Sequence, residues 1–432
     1  MSLEVDVVRD DVVNELVGLI RSDRVHGSLY TRPDLFAEEL RRIWYRTWVF
    51  VGHESEVPQP NDYVRRWVGP QDVILVRDAE GKVRVLRNRC PHRGSQICQD
   101  PCGNASTLRC AYHGWTFRTD GSSAGVAFPK GYGPDVDPTT HDLAQFPRVE
   151  SYRGFVFASG ADDGPSLAEH LGAAAGTIDR LLRISPVEEV RVPRRWVRHE
   201  MAANWKLLVE NETDGYHPAF VHGSVFRAST SGLGALYRDN SGARTRYLGN
   251  GHTENDLRPT YRERQQPLEW VGSSPERAPR YVAAMKAALG AHADEVLVEG
   301  APHVMIFPNL FIGEVHLTMF QPVRHDLTIQ HSTSLEFVGG EELNPRSLHQ
   351  STGSLGPAGL LLADDAEMHE RAYRGLLAHE PEWVDLSRGM HRETLDEEGF
   401  VAGFVSDETS MRGFWSHYRD LITEESRGRD NY

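Results

Sequence analysis

Residues 204–222, NWKLLVENETDGYHPAFVH, bring Asp214, His217 and His222 within nine positions, among apolar and aromatic side chains. Asp214 and His217 are three residues apart and share a face if the segment is helical. His217 and His222 are five residues apart, roughly 140° around an ideal helix, so both can reach one ion only if the segment bends. Pro218 gives a physical reason for that bend. Two converging imidazoles suit Fe, Zn, Cu or Ni, and two ordinary histidines on a helix flank are the alternative interpretation.

Composition and charge restrict the class of protein. The chain of 432 residues is long enough for a large core and for more than one domain. A formal net charge of −15 argues against nucleic acid or an anionic membrane as a main partner. There is no apolar run near the roughly 18 residues of a membrane span, and the acidic N-terminus has no signal-peptide core. We therefore expect a cytoplasmic protein.

The texture of the sequence changes twice along the chain. Residues 1–48 are predicted to be mainly helical, beginning with a helix at 5–25, and to pack on the C-terminal domain. Residues 49–160 contain short alternating runs with glycines at turns, which is typical of a small all-β domain. A Gly/Asp/Pro-rich break at 159–166 ends this domain, and residues 161–432 mix helical and strand-like segments. The predicted fold class is α+β.

The strongest motif lies in the predicted all-β domain. All four cysteines fall in one short window, which favours a metal or redox site over a disulfide framework: Cys90, Cys98, Cys102 and Cys110. Cys90 and His92 form a C-x-H pair, and Cys110 and His113 form a C-x-x-H pair. Two thiolates on one iron and two imidazoles on the other iron of a [2Fe–2S] cluster is the Rieske arrangement. Zinc at the same ligands is the main alternative, and the other two cysteines are interpreted as incidental.

With CPHRG at 90–94, CAYHGW at 110–115 and DGYHPAFVH at 214–222, the chain resembles the catalytic α subunits of Rieske non-haem iron aromatic-ring-hydroxylating dioxygenases. The resemblance extends over roughly residues 30–420. It implies a catalytic domain of the helix-grip type, with an antiparallel sheet flanked by helices. It also implies cluster ligands and mononuclear iron ligands at matching positions: Cys90, His92, Cys110 and His113 for the [2Fe–2S] cluster, and His217 and His222 for Fe(II).

The resemblance further assigns a third iron ligand and nearby residues. The third ligand is an aspartate after GPAGLLLADD, expected to be Asp365, with Asp364 as the alternative. Asp214 matches an aspartate that links a cluster histidine of one subunit to an iron-ligating histidine of the next, and Asn211 is expected near the iron. The pocket is expected to include His303, Leu355 and Leu361. Three leucines stand where naphthalene-type relatives carry bulky aromatics, and an arginine reaching the pocket would favour an aromatic carboxylate.

The resemblance implies the terminal oxygenase of a multicomponent dioxygenase, which inserts O₂ into an aromatic substrate, most simply by cis-dihydroxylation. Because the chain has no flavin or nicotinamide motif, electrons from NAD(P)H are expected through a ferredoxin, a reductase or both. A small β subunit in an α3β3 assembly, or an α3 trimer, is expected. A monooxygenase or demethylase with the same iron sites, and a Rieske electron-transfer protein, are the alternatives. The H-E-x-x-H motif of a zinc hydrolase is missing.

Overall fold

The computed structural model describes residues 15–133, 135, 137–228, 233–238, 241–356, 359–378 and 380–423. Most of the helix predicted for residues 5–25 lies outside this part of the chain, although residues 15–19 are helical. Leu16 and Ile20 are buried in the same hydrophobic cluster as Trp205 and Trp415. The beginning of the described chain therefore packs against segments from its C-terminal half.

Residues 49–160 form small antiparallel sheets, and the prediction of an all-β domain is confirmed. In the part of the chain that the structure describes, the largest of these sheets has four strands, in the order Val83–Arg87, Gln71–Arg77, Asp62–Val68 and Cys102–Asn104. Two sheets with three described strands each accompany it: Thr107–Arg109, Thr116–Arg118 and Ser123–Gly125, and Arg148–Tyr152, Phe155–Ser159 and Val49–His53. Gly81 lies at a predicted hairpin turn with φ of 88°, a conformation that glycine adopts without strain.

The C-terminal domain is built on one large antiparallel sheet. Among the described residues it has nine strands, in the spatial order Val197–Met201, Leu327–Ser334, His316–Arg324, Leu310–Gly313, His303–Ile306, His252–Asp256, Arg244–Gly249, Val401–Phe404 and Thr394–Leu395. Two short antiparallel pairs stand apart from it: Arg24–His26 with Trp383–Asp385, and Val190–Arg191 with Glu336–Phe337. The first pair ties the N-terminal segment to the C-terminal part of the chain.

Helices flank this sheet, so the predicted α+β class is confirmed. The α-helices of the described residues are Ser28–Thr31, Pro33–Glu39, Leu167–Leu171, Ala174–Leu182, Trp205–Glu212, Pro218–Val221, Gly223–Ala228, Arg258–Arg264, Pro279–Leu289, Ala293–Glu299, Asn344–His349, Leu362–Leu376 and Thr409–Thr423. π-helical turns occur at Leu40–Trp44 and Gln350–Ser354. None of the helices described has both the length and the apolar character that crossing a bilayer requires.

Three distant segments meet at the carboxylate of Glu39. One oxygen forms an ion pair with Lys206 and accepts a hydrogen bond from the Tyr418 hydroxyl at 2.7 Å. The other accepts a hydrogen bond from the Trp205 indole at 2.7 Å. Because Glu39 and Lys206 are fully buried, these hydrogen bonds are needed to compensate the loss of hydration. The helix Trp205–Glu212 is thus held by residues from both ends of the chain.

Candidate active site

The helix Trp205–Glu212 leads into the site and then stops. Asn204 caps its N-terminus by accepting a hydrogen bond from the backbone N–H of Lys206 at 3.1 Å. The helical hydrogen bonding ends at Thr213. A Cβ atom at Gly215 would overlap the carbonyl oxygen of Val405, so only glycine allows the chain to pass here.

A second helix begins directly after His217. Pro218 occupies its first position, where the missing N–H of proline costs no hydrogen bond. The sequence predicted the bend at Pro218, but the chain leaves helical geometry at residues 213–216 and Pro218 starts the next helix. As a result, the His217 and His222 rings lie 5.3 Å apart between centroids and are inclined at 78°. The bend that joint metal binding requires is therefore present.

Asp365 comes to these histidines from the helix Leu362–Leu376. Its Oδ1 lies 3.5 Å from Nε2 of His217 and 3.2 Å from Nε2 of His222. The three side chains offer ligand atoms that all lie within 4.8 Å of one another. Oδ1 of Asp365 is buried, and no described residue forms a hydrogen bond with it. A buried carboxylate oxygen facing two imidazole nitrogens suits a divalent cation, and this donor set with open positions is that of non-haem Fe(II).

Asp214 is placed beside the first of these ligands. Its Oδ1 accepts hydrogen bonds from the backbone N–H of Tyr216 at 2.6 Å and of His217 at 3.3 Å. Its Oδ2 lies 3.4 Å from Nδ1 of His217. Burial works against ionisation of Asp214, but its contacts with His217 and these N–H groups hold its pKa below the usual value. An ionised carboxylate behind Nδ1 directs Nε2 of His217 toward Asp365.

The two loops expected to bind the cluster, residues 90–95 and 110–115, share one pattern of backbone hydrogen bonds. In the first, the N–H of Gly94 donates to the Cys90 carbonyl at 2.9 Å, and the Cys90 N–H donates to Ser95 at 2.8 Å. In the second, the N–H of Gly114 donates to the Cys110 carbonyl at 3.0 Å, and the Cys110 N–H donates to the Trp115 carbonyl at 2.8 Å. Both glycines have positive φ, 75° and 72°. Each loop is therefore closed by hydrogen bonds within six residues of sequence.

The side chains of the loops sort by burial. Cys90 and Cys110 are 2% and 1% exposed, and burial together with the neighbouring Cys110 thiol raises the pKa of Cys90. The His92 and His113 rings are half-buried and lie 4.6 Å apart between centroids. His92 also stacks on Trp115 at 4.9 Å. Paired buried thiols with paired imidazoles toward solvent fit the two unlike irons of a Rieske cluster.

The other two cysteines are free thiols. Burial raises the pKa of Cys98 to about 12, so its thiol is unreactive at neutral pH. Asn88 holds the segment around Cys98, since its amide accepts from the Cys98 N–H at 2.9 Å and donates to the Cys98 carbonyl at 2.8 Å. Cys102 pairs with Val64 in the four-stranded sheet.

A cavity of about 900 Å³ opens from the three candidate iron ligands. All pocket residues expected from the sequence line it: Asn211, His303, Leu355 and Leu361. Asp214 borders it too, and also borders a second cavity of about 490 Å³ together with Asn211. The volume of the larger cavity is within the range of small-molecule sites.

Several polar residues of this cavity were not anticipated from the sequence. His369 lies one helical turn after Asp365, and burial lowers its pKa to about 4. Burial also raises the pKa of Glu212 well above its usual value, and the charge of Asp365 adds to this. Glu314 reaches the cavity from a turn of the large sheet. His369 could have been predicted, because it follows Asp365 by four residues and therefore shares its helix face. The local sequence around Glu314 contains no pattern that predicts its place in the cavity.

Four arginines that lie before or just after the candidate iron ligands in sequence are not among the residues that line this cavity. Arg194, Arg195 and Arg198 border a separate cavity of about 290 Å³, and Arg227 is exposed. Arg346, which lines the main cavity, is itself exposed and donates to the Val271 carbonyl at 3.1 Å.

Fold and site together define a protein with an iron–sulfur domain and a mononuclear metal domain. Family models agree: residues 47–147 match the Rieske [2Fe-2S] domain, and residues 188–424 match the ring hydroxylating alpha subunit catalytic domain. The 2-halobenzoate 1,2-dioxygenase large subunit of Burkholderia cepacia is 30% identical over 390 residues, which is 86% of this chain and 82% of the relative.

Two further relatives widen the range of chemistry. The N,N-dimethyl phenylurea N-demethylase subunit alpha of Sphingobium sp. (strain YBL2) is 39% identical over 220 residues, 50% of this chain and 47% of that protein. A naphthalene 1,2-dioxygenase structure with indole bound in the active site has the same fold, with a TM-score of 0.82 and 23% identity over 95% of this chain and 94% of the other.

The chain belongs to the ring-hydroxylating α subunits, the catalytic subunits of Rieske oxygenases. It is an oxidoreductase whose Rieske domain carries a [2Fe–2S] cluster and whose catalytic domain uses mononuclear iron. The family, fold class and cofactors expected from the sequence are thereby confirmed.

Proposed function

We propose that this protein is the terminal oxygenase of a multicomponent aromatic-ring dioxygenase. The substrate gains both atoms of O₂, and two electrons from NAD(P)H together with two protons complete a cis-dihydrodiol. The observation that carries this proposal is the convergence of His217, His222 and Asp365 at the wall of a 900 Å³ cavity. The bound iron would supply a site for O₂ activation beside the substrate.

The residues of the chain would act by holding and orienting. Cys90, Cys110, His92 and His113 would hold the cluster, and the imidazoles would give an electron path to the surface. His217, His222 and Asp365 would hold the iron from one side. Asn211 would border the substrate close to the iron.

Asp214 would connect the two metal sites across a subunit boundary. We propose that it accepts the Nδ1–H of His217 in its own subunit and a ring N–H of His113 from the next subunit of a C3 trimer. Its position beside His217 and at the border of the second cavity supports this role. A small β subunit, giving α3β3, and a ferredoxin or reductase as electron donor belong to the same proposal. The free thiols fit a reducing cytoplasmic setting.

A monooxygenase or N-demethylase is the second candidate. It is favoured by the N-demethylase relative, which is 39% identical over half of this chain. Both reactions use the same iron ligands, so the ligands do not distinguish them.

Isotope labelling separates these candidates. The purified protein, reconstituted with a ferredoxin, a reductase and NADH, is screened with arenes and arylamines under ¹⁸O₂, and products are analysed by mass spectrometry. Two labelled oxygens in one ring product are expected. One labelled oxygen in the product, or a demethylated amine without label together with formaldehyde, would replace dioxygenation by the second candidate. Colourless protein containing stoichiometric zinc would refute both.

A further inference from the structure

The wall of the cavity contains a carboxylate, that of Glu314, to which no lysine or arginine of the described residues forms an ion pair. Glu314 occupies the turn between the strands Leu310–Gly313 and His316–Arg324, with a φ of 58°. Its backbone N–H donates to the Pro302 carbonyl at 2.9 Å, which fixes the turn. The side chain is 16% exposed and forms part of the cavity wall.

The contacts of this carboxylate are weak for a buried anion. Oε2 accepts a hydrogen bond from the Gln350 amide at 3.2 Å. Oε1 lies 3.9 Å from Nδ1 of His303. Burial raises the pKa of Glu314 to about 7, and Gln350 only partly offsets this. Within the part of the chain that the structure describes, no lysine or arginine forms an ion pair with Glu314, although buried carboxylates are normally paired.

The facing side of His303 is also an acceptor. Its Nε2 lies 2.8 Å from the Glu212 carbonyl oxygen, which can only accept, so Nε2 carries the proton. Burial lowers the pKa of His303 to about 4, so the ring is neutral and Nδ1 is a lone-pair acceptor. Among the residues that the structure describes, Nδ1 finds no hydrogen-bond partner. Oε1 of Glu314 and the buried Nδ1 of His303 are thus two acceptors that face each other at 3.9 Å, and a bound hydrogen donor would satisfy both.

We propose that Glu314 and His303 determine specificity by binding a protonated amino group of an aromatic substrate. This inference rests on the proposed function, since it takes the cavity to be the substrate site. An ammonium group offers three N–H donors and a positive charge, which match the carboxylate and the imidazole lone pair. An aromatic carboxylate in the same position would bring a second negative charge next to Glu314 in a site of low dielectric constant.

Binding is tested without turnover, on the iron- and cluster-loaded protein, by isothermal titration calorimetry at pH 8. The probes are benzylammonium, benzoate and toluene, which share a ring and differ in the charge of the substituent. Wild type is expected to bind benzylammonium about tenfold or more tightly than benzoate or toluene, as for a charge-assisted hydrogen bond. Glu314→Gln keeps the shape and is expected to lose this preference while binding toluene as before.

Two further variants control for folding and charge. Glu336→Gln removes an exposed glutamate from the strand Glu336–Phe337 and is expected to bind all probes like wild type. Glu314→Asp keeps the charge and is expected to retain a preference for benzylammonium over benzoate. Tighter binding of benzoate by wild type, or unchanged benzylammonium affinity in Glu314→Gln, would overturn the inference. Failure of ¹⁸O₂ incorporation with the amine preference intact would remove only the proposed function.

Discussion

The cluster loops and the iron site differ in how far apart their ligands lie along the chain. Cys90 and His113 span a single stretch of 24 residues, and each loop is closed by its own backbone hydrogen bonds. The proposed iron ligands His217 and Asp365 are 148 residues apart, and the two helices that position them meet only in the folded domain.

This difference shows what each site depends on. The loops need a short sequence with glycine at one position each, so their geometry is local. The iron site needs the end of the helix Trp205–Glu212, the approach of the helix Leu362–Leu376 and the buried contacts of Glu39 with Lys206. Substitutions should therefore disturb the iron site from a distance and the cluster loops mainly from within.

The largest effect is expected for Asp365→Ala. Loss of the carboxylate removes one of three ligands, so mononuclear iron should be lost and product formation should fall by about a thousandfold or more. The visible bands of the cluster should remain. Metal analysis and absorbance spectra measure both. Asp364→Asn is the control, because Asp364 is only half-buried. This variant is expected to keep its iron. Iron loss in Asp364→Asn but not in Asp365→Ala would exchange the two assignments.

Asp214→Asn tests the connection between the two sites. Both sites should stay loaded, while product formation slows about 100-fold, because the amide is a poorer acceptor for the ring N–H of His217. Single-turnover assays with a chemically reduced cluster measure electron transfer separately from donor binding. Normal turnover would end the bridging hypothesis.

Gly215→Ala tests the packing of the segment between the two helices, just before His217, against Val405. The added methyl would overlap the carbonyl oxygen of Val405, which belongs to backbone and cannot move aside easily. A loss of about 3 kcal/mol of unfolding free energy is expected. Gly176→Ala, in the first turn of the helix Ala174–Leu182 where an added Cβ has open space, is the control and should stabilise by up to about 1 kcal/mol. Urea denaturation measures both, and equal stabilities would contradict the proposed clash.

The smallest effect is the loss of stability at acidic pH that comes from the buried His252. His252 is fully buried, its Nε2 donates to the His170 carbonyl at 2.7 Å, and burial lowers its pKa from 6.5 to about 4. The unfolded chain therefore binds more protons, so stability is complete above pH 6.5 and falls toward pH 4. The loss from His252 at pH 5 is about 2 kcal/mol. His252→Gln should reduce the slope of the thermal midpoint against pH without abolishing it, because other buried histidines such as His53 and His331 also have lowered pKa values. The cluster bands should change little, and an unchanged slope would contradict this.

The same contrast explains what the sequence could predict. The proposed cluster ligands follow from two short motifs, whose residue types and spacing favour a Rieske site and leave zinc as the alternative. Asp365 followed only from resemblance to a family, because nothing local separates it from Asp364 and its burial results from packing. The position of the chain break was predicted at Pro218 but lies at residues 213–216, since proline is favourable at the first position of a helix.

Glu314 shows the limit of local patterns most clearly. A glutamate in a turn between two strands is ordinarily exposed, and only the assembled cavity reveals that this one is enclosed. Its oxygen faces Nδ1 of His303. That nitrogen is an acceptor because Nε2 of the same ring donates to the Glu212 carbonyl, from another part of the chain. Such a relation has no signature in sequence spacing.

The cluster at Glu39 has a consequence for the order of biosynthesis. Its carboxylate is satisfied only when Trp205, Lys206 and Tyr418 are all in place, and Tyr418 is synthesised more than 200 residues after Lys206. The loops around Cys90 and Cys110 can close while translation continues, because their bonds are local. The contacts that hold the helix leading to His217 are therefore completed later in synthesis than the two loops, so the electron-storing domain can form before the proposed oxygen-activating centre.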